Sequence, residues 1–418
     1  MDASEDGERL RPPCSSLFAR PVKHRRRQGE RFVWRTPSKQ DVIPLNYGDP
    51  FPGSLPNEEL VRSLEEGLRQ DPHYSLQYGV SRAEAKLRDV IDQWLRRKGM
   101  GAPGDEVVLT SGSTQALDLA CRLFLDEGDL IILEAPTYMG ALRVFGNFGI
   151  ECLAIRTDGN GMVTGELAKA LETRSRSGSN MPKLAYVIPT FQNPKGVTLS
   201  LPRRKHLLEL AEQYNFVIVE DDPYSELRFE GDPLPAVKQL DEGSRVLYVG
   251  TLSKIVAPGV RVGWVFTGPE IAREVSRIKP GYDNSLALVA VSRYFDAVDI
   301  EQRLSWLREN YRSRRDAMLN ALAETMPPGV SWTRPQGGLF VWVELPHVLD
   351  ASVLLERAIA RGVAFLRGSL FFFDTGPSNA LRLSYSYVSP RQIEEGVDIL
   401  ADVVLTALKE KEATAPRA

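Results

Sequence analysis

Cysteine and histidine are scarce in this chain of 418 residues, which carries three cysteines (Cys14, Cys121, Cys152) and four histidines (His24, His73, His206, His347). Three thiols cannot build a disulfide framework, and none stands in a C-x-x-C pair. The histidines lie far apart, so no metal-ligand spacing is present and no metal site is expected. Long apolar runs are missing as well. No uncharged stretch reaches the roughly 18–20 residues of a bilayer span, and the N-terminal stretch is polar and basic without an apolar signal core. Neither sign of charge dominates: 52 Lys and Arg against 55 Asp and Glu leave a formal net charge of −3. That balance argues against a whole-chain polyanion binder and against a disordered polyelectrolyte. A globular protein of the cytoplasm is expected, with neither membrane nor nucleic acid as partner. At roughly 150 residues per domain, its length suits two or three domains with large cores.

Residues 1–40 are rich in Arg and Pro, lack periodicity, and include the basic run Lys23-His24-Arg25-Arg26-Arg27. They read as a mobile tail; a contact with an anionic surface is the sharper alternative, but no folded reading module accompanies the run. Helical spacing begins near residue 57 with Leu60, Leu64 and Leu68, and returns with Leu87, Val90, Ile91 and Trp94. Short apolar runs then alternate with helical stretches. The runs include 107–109, 130–133, 184–188, 216–219, 246–249 and 262–266. Runs of that length separated by helices predict an α/β fold whose mainly parallel sheet is covered on both faces. After a long helical stretch over about 300–323 the pattern changes to a smaller α+β domain. The expected organisation is an N-terminal segment over 41–75, a large domain over 76–300, and a small one over 301–418.

Gly99, Gly101 and Gly104 spell G-x-G-x-x-G, the nominal dinucleotide fingerprint. They precede a strand instead of following one and enclose Pro103, so they read as a loop.

Four other segments follow apolar runs. Ser111-Gly112-Ser113-Thr114-Gln115 sits at a predicted helix N-terminus, where free N–H groups, hydroxyls and the positive end of the macrodipole suit a phosphate; an ordinary N-cap is the alternative. Pro189 to Gly196 places Asn193 after a strand and by itself reads as a turn. The run 216–219 ends in Glu220-Asp221-Asp222-Pro223-Tyr224, a carboxylate able to pair with a cationic ring nitrogen and a tyrosine able to reach a phenolic oxygen. Finally, Thr251-Leu252-Ser253-Lys254 follows the run 246–249, and Arg261 opens the next. A lysine held at such a sheet edge can lose its proton and form an imine, and a guanidinium there can grip a phosphate. Each segment alone has a bland reading, but together they form the inventory needed to hold pyridoxal 5′-phosphate. All of them are expected at carboxyl ends of parallel strands.

In the order and wording of these segments, with Glu134 to Gly140 and Leu381 to Ser384, the chain resembles the fold-type I pyridoxal-phosphate enzymes of the class I/II aminotransferase superfamily. It is closest in flavour to the 2-aminoadipate and kynurenine aminotransferase branch, from about residue 41 onward. The resemblance implies that Lys254 carries the Schiff base and shuttles a proton, and that Asp221 pairs with the pyridine nitrogen. It further implies that Asn193 and Tyr224 bond the ring oxygen, and that Tyr138 stacks on the ring. Ser113, Thr114, Thr251, Ser253 and Arg261 would share the phosphate. Arg382 would clamp the substrate α-carboxylate beside Gly48 and Asn193, and Tyr78 would reach the phosphate of a neighbouring subunit in a homodimer with shared sites.

The implied activity moves an α-amino group from an amino acid to a 2-oxo acid. Elimination, replacement, decarboxylation or oxidation on the same cofactor is the alternative enzyme. A transcription regulator built on such a domain is the alternative class, but about forty residues cannot hold its winged-helix module. Two departures bear on specificity: Lys195 stands where the usual motif has Thr, and Asn46 to Gly53 replaces a segment like F-A-G-G-L-P. Lys195 is either a solvated turn lysine or a cation for a second anionic group on the substrate. The stretch 368–374 is also more apolar than the resemblance leads one to expect.

Overall fold

A computed structural model describes residues 42–73, 75–77 and 82–414. Tyr78 and the expected tail over 1–40 lie outside the described residues. Eight strands form one sheet in the order β2 (Glu106–Thr110), β9 (Gly263–Thr267), β8 (Val246–Thr251), β7 (Val217–Asp222), β6 (Pro182–Val187), β3 (Leu130–Ala135), β4 (Glu151–Asp158) and β5 (Gly161–Met162). The five strands from β8 to β4 are parallel. Their apolar runs lack alternation because both faces are covered. Leu184, Tyr186, Val219, Leu247 and Val249 enter one core cluster, whereas Ala185, Val187, Ile218 and Val246 enter another. Successive side chains point to opposite faces, so two buried faces demand a continuous apolar run.

One expectation needs correction. Strand β9 runs antiparallel to both β8 and β2, so Arg261 lies just before its amino end and not at a carboxyl end. The connection over 252–262 contains one short 3-10 turn, Pro258–Val260, and no crossover helix of the kind a parallel pairing needs. Reversing β9 still leaves Arg261 on the sheet edge where β8 ends. Strand β4 was not among the predicted runs: its sequence, ECLAIRTD, is largely exposed or half-exposed near the sheet margin.

A second, antiparallel sheet has the order β10 (Ser331–Trp332), β11 (Phe340–Glu344), β14 (Ala380–Ser384) and β13 (Leu366–Arg367). The N-terminal segment is strapped to this part. Strand β1 (Ile43–Pro44) pairs with β12 (Val363–Ala364), the Ser384 amide donates to the Leu45 carbonyl at 2.7 Å, and the Ser386 hydroxyl donates to the Asp49 carbonyl at 2.7 Å. The long helix Ile300–Thr325 is capped by Asp299, which accepts from the amides of Glu301 and Gln302. From its first turn Arg303 donates to the carbonyls of Ser54 (2.6 Å) and Ile255 (2.8 Å), tying the strap to the chain just after Lys254.

Arg204, on the helix Leu201–Tyr214, is fully buried. Its guanidinium donates to the carbonyls of Leu199 (2.9 Å), Pro189 (2.8 Å) and Pro235 (3.0 Å) and to the Thr190 hydroxyl (2.9 Å). It thereby closes both ends of the loop that carries Asn193. Replacing it with methionine keeps the volume but strands those oxygens and the nearby buried Glu220. Arg204→Met is therefore expected to destabilise the fold by roughly 3–5 kcal/mol, the cost of removing one partner from a buried charged cluster. Urea unfolding followed by tryptophan fluorescence checks this; an unchanged midpoint refutes it.

Candidate active site

A cleft of about 340 Å³ opens where β7 and β8 end, and the strap over 46–49, the first residue of β11 and the middle of β14 contribute to its walls. It brings together every described candidate: Gly48, Ser113, Thr114, Tyr138, Asn193, Asp221, Tyr224, Thr251, Ser253, Lys254, Arg261 and Arg382 all line it. A hollow of about 400 Å³ beside β2 contains none of them. Lys195 does not line the cleft either: its ammonium donates to the Thr157 carbonyl at 3.1 Å, half-buried against the end of β4.

The floor is Asp221, the penultimate residue of β7 and buried. Its Oδ2 accepts from the Tyr186 hydroxyl at 2.7 Å, while Oδ1 is buried without a hydrogen-bond partner. Burial pushes this carboxyl up to about 7; the Tyr186 bond opposes the rise and the neighbouring Asp222 charge adds to it. An orphaned carboxylate oxygen costs free energy, and such a group marks a place where a cationic partner fits.

Lys254 follows β8 at the same edge. Its ammonium donates to the Gly48 carbonyl at 2.9 Å. Burial lowers it to about 8, with the Asp49 charge opposing the fall and Arg382 and Arg261 reinforcing it. An amine so poised releases its proton near neutrality.

At another side of the cleft, Gly112 turns the chain from β2 into the helix Ser113–Phe124 with φ +78°. A Cβ there would strike the Arg261 guanidinium, and one on Gly263 would come within 2.7 Å of the Gly112 backbone. The two glycines let β9 close on this turn. Arg261, itself left-handed at φ 51°, reaches the Ser111 carbonyl at 3.1 Å. The Thr251 and Ser253 hydroxyls bond each other at 2.9 Å beside it. Helix N-terminal amides, hydroxyls and a guanidinium converge there, a donor set suited to a phosphate.

At the opposite wall Arg382 is buried and stacked 4.1 Å from the Phe340 ring centroid. It donates to Asn193 Oδ1 at 3.1 Å and to the Asn46 carbonyl at 2.8 Å, and its Nε has no partner. Asn193 Nδ2 donates to the Tyr224 hydroxyl at 3.4 Å. Burial raises the Tyr138 and Tyr224 hydroxyls, keeping both as neutral donors.

Sequence reasoning missed Tyr186, whose only signal was a lone hydroxyl within an apolar run. It also missed Asp49 and Tyr47 as lining residues, although the segment containing them stood out as unusual. The apolar stretch after Gly368 contributes Leu370 to the wall, beside Leu366.

The donor set fits pyridoxal 5′-phosphate: an orphaned carboxylate at the floor, a buried amine beside it, and an anion cradle at a helix N-terminus. The sequence profile of Aminotransferase class I and II matches residues 40–400. The aromatic-amino-acid aminotransferase 1 of Thermococcus litoralis is 42% identical over 373 residues, covering 88% of this chain and 89% of its own. The multiple substrate aminotransferase of Thermococcus profundus superposes with a TM-score of 0.88 at 37% identity, over 96% of this chain and all of its own. The α-aminoadipate aminotransferase of Thermus thermophilus was solved with N-(5′-phosphopyridoxyl)-L-leucine. It superposes with a TM-score of 0.85 at 33% identity, covering 96% of this chain and 100% of its own. The chain belongs to the class I and II aminotransferases, fold-type I enzymes that use pyridoxal 5′-phosphate to move an amino group between an amino acid and a 2-oxo acid.

Proposed function

We propose that Lys254 is the cofactor-bearing and proton-transferring residue of this aminotransferase and that Asp221 is its electronic anchor. The observation that carries the reading is the orphaned Oδ1 of Asp221 at the floor of the cleft that also receives the Lys254 ammonium. Bound pyridoxal phosphate supplies an electron sink that acidifies the substrate Cα–H. Asp221, oriented by Tyr186, would keep the ring nitrogen protonated. Ser113, Thr114, Thr251, Ser253 and Arg261 would hold the phosphate, Asn193 and Tyr224 would donate to the ring oxygen, and Tyr138 would pack against the ring. Arg382 is stacked and half-committed to backbone and amide oxygens. It exchanges the Asn46 carbonyl for the substrate α-carboxylate, and Gly48 and Asn193 flank it. Lys254 Nζ, with its proton affinity lowered by burial, would take the Cα proton within the cleft.

The same reading divides the chain into a large cofactor-binding domain over 76–300 and a small domain over 301–418 joined by the strap over 41–75. It makes the enzyme a homodimer in which Tyr78 serves the partner's phosphate site. Supporting a dimer, Leu76 and Tyr282 are each two-thirds exposed, and Val61 and Leu286 lie exposed on two helices that pack together, Asn57–Gln70 and Ser285–Ala297. It also assigns the enzyme to the cytoplasm; among the described residues no helix is long and apolar enough to cross a membrane, and Cys121 and Cys152 are free.

Borohydride reduction of the holoenzyme followed by peptide mapping is expected to place the cofactor on Lys254. Lys254→Ala should lose the visible absorbance of the linkage while keeping its far-ultraviolet circular dichroism. A modified peptide from another lysine overturns the assignment.

Asp221 yields a pH test with a definite sign. Its carboxyl titrates near 7 in the folded chain and near 4 when unfolded. The folded protein therefore binds more protons, and the penalty is absent below about pH 4, grows as pH rises, and is complete above about 7. Cofactor-free Asp221→Asn keeps the Tyr186 bond and escapes that penalty. Its thermal midpoint is expected to match wild type near pH 4 and to exceed it most at pH 8, while cofactor affinity falls. A midpoint difference independent of pH sinks the assignment of an ionising, unpaired Asp221.

A further inference from the structure

Arg204 holds the ends of the loop that carries Asn193, but the tip of that loop is held by a residue with no role so far. Gln192 is buried, and its amide uses both of its ends. Nε2 donates to the Pro136 carbonyl at 2.7 Å, and Oε1 accepts from the Lys195 amide at 2.9 Å. Its main chain closes the same turn: the Gln192 N–H donates to the Val197 carbonyl at 2.8 Å, and the Gln192 carbonyl accepts from the Gly196 N–H at 2.6 Å. The tip over 193–197 is thus folded around one residue. A carbonyl at one end of the side chain and an N–H at the other fix its orientation, since a flip would set like groups together at both ends.

The far end of this staple is firm. Pro136 stands between β3 and the helix Met139–Phe145, two residues ahead of Tyr138. Glu134, the penultimate residue of β3, lies behind it; its Oε2 accepts from the Ile188 amide at 3.0 Å and from Gln192 Nε2 at 3.5 Å. Burial pushes this carboxyl up to about 8 against the pull of those two bonds, so at neutral pH it keeps its proton and adds no charge near Asp221.

The side chain of Asn193 has no such fixed support. Its Oδ1 accepts from Arg382 at 3.1 Å, and its Nδ2 reaches the Tyr224 hydroxyl only at 3.4 Å. Under the roles proposed above, Nδ2 turns to the ring oxygen and the guanidinium on Oδ1 is the one that meets the substrate. Both partners therefore belong to the binding events themselves. The bonds of Gln192 depend on neither ligand.

We propose that Gln192 is a positioning residue: by tying the loop tip to the turn ahead of Tyr138, it holds the Asn193 amide on the ring oxygen without touching the cofactor. This rests on the cofactor-binding role given to Asn193. A donor on that oxygen draws off negative charge that otherwise holds the proton of the Lys254 linkage, so the linkage releases its proton at lower pH when Asn193 is well placed. Loosening the tip has the opposite sign, and the proton is kept to higher pH.

The visible absorbance of the cofactor-loaded protein, titrated against pH, reads this without any substrate. Asn193→Ala is expected to raise the midpoint by about one pH unit, and Gln192→Met to raise it by about half of that. Gln192→Met removes both side-chain bonds at nearly constant volume. The milder Gln192→Asn, one methylene too short to span from Pro136 to Lys195, should move the midpoint in the same direction. Because Gln192 acts through Asn193, the double variant of Gln192→Met and Asn193→Ala should titrate like Asn193→Ala alone. Gln192 variants that melt earlier yet titrate like wild type assign Gln192 to the fold alone and overturn the proposal, as do shifts that add in full in the double variant. An Asn193→Ala protein that titrates like wild type removes Asn193 from the ring oxygen, and this proposal falls with the reading it rests on.

Discussion

A carboxylate held half-unsatisfied at the end of a buried strand is the interaction on which the rest of the site depends. Asp221 cannot retreat to solvent, because β6 and β8 flank its strand. Nor is it fully paired, because Tyr186 satisfies only one of its oxygens. Left alone, the arrangement costs stability; offered a cationic ring nitrogen, it becomes a strong and directional contact. The sheet earns that position by geometry. Parallel strands present their carboxyl ends along one edge, and antiparallel β9 returns its amino end to the same edge, so Arg261 joins Lys254 and Ser113 without a long connection.

Two perturbed groups face one cleft and move toward neutrality from opposite directions. Burial raises Asp221 to about 7 and lowers Lys254 to about 8. Desolvation disfavours the charged form of each, so one low-dielectric environment loosens the proton on the amine and makes the acid reluctant to part with its own. Arg382 shows the same pressure, pushed down to about 10. A guanidinium at that value stays charged at physiological pH. Arg382 thus keeps its charge across the neutral range, while Lys254 lies within about a unit of losing its own.

The sheet and its motifs were largely legible in the sequence because their signals are local. A doubly covered strand must be apolar throughout, so a strand end that carries Asp221, or a loop that leaves such a strand with Lys254 or Asn193, announces itself by contrast. What could not be read depended on pairing. The reversal of β9 is decided by what lies between two strands, and the sequence of a strand does not state its direction. Strand β4 hid because a marginal strand need not be apolar. Tyr186 hid because a hydroxyl within a buried run says nothing of its partner 35 residues away until register places them together. Lys195 looked like a candidate ligand from its neighbours in sequence, yet its side chain extends along the far side of its own loop.

The strap over 43–49 shows how a segment with little secondary structure of its own can set chemistry. It is held by two β1–β12 residue pairings, by the Ser384 amide at the end of β14 and by the Ser386 hydroxyl just beyond it. It touches the first sheet's machinery through the Gly48 carbonyl on Lys254, and it meets Arg382 through the Asn46 carbonyl. Both acceptors are backbone atoms, so the two cations are positioned by the path of the strap and hardly by its side chains. That leaves the side chains of Tyr47 and Asp49 free to vary without disturbing Lys254 or Arg382 through lost hydrogen bonds. A scaffold built this way positions both cations by backbone and leaves the strap's side chains to vary, which is where this sequence departs from the pattern it resembles.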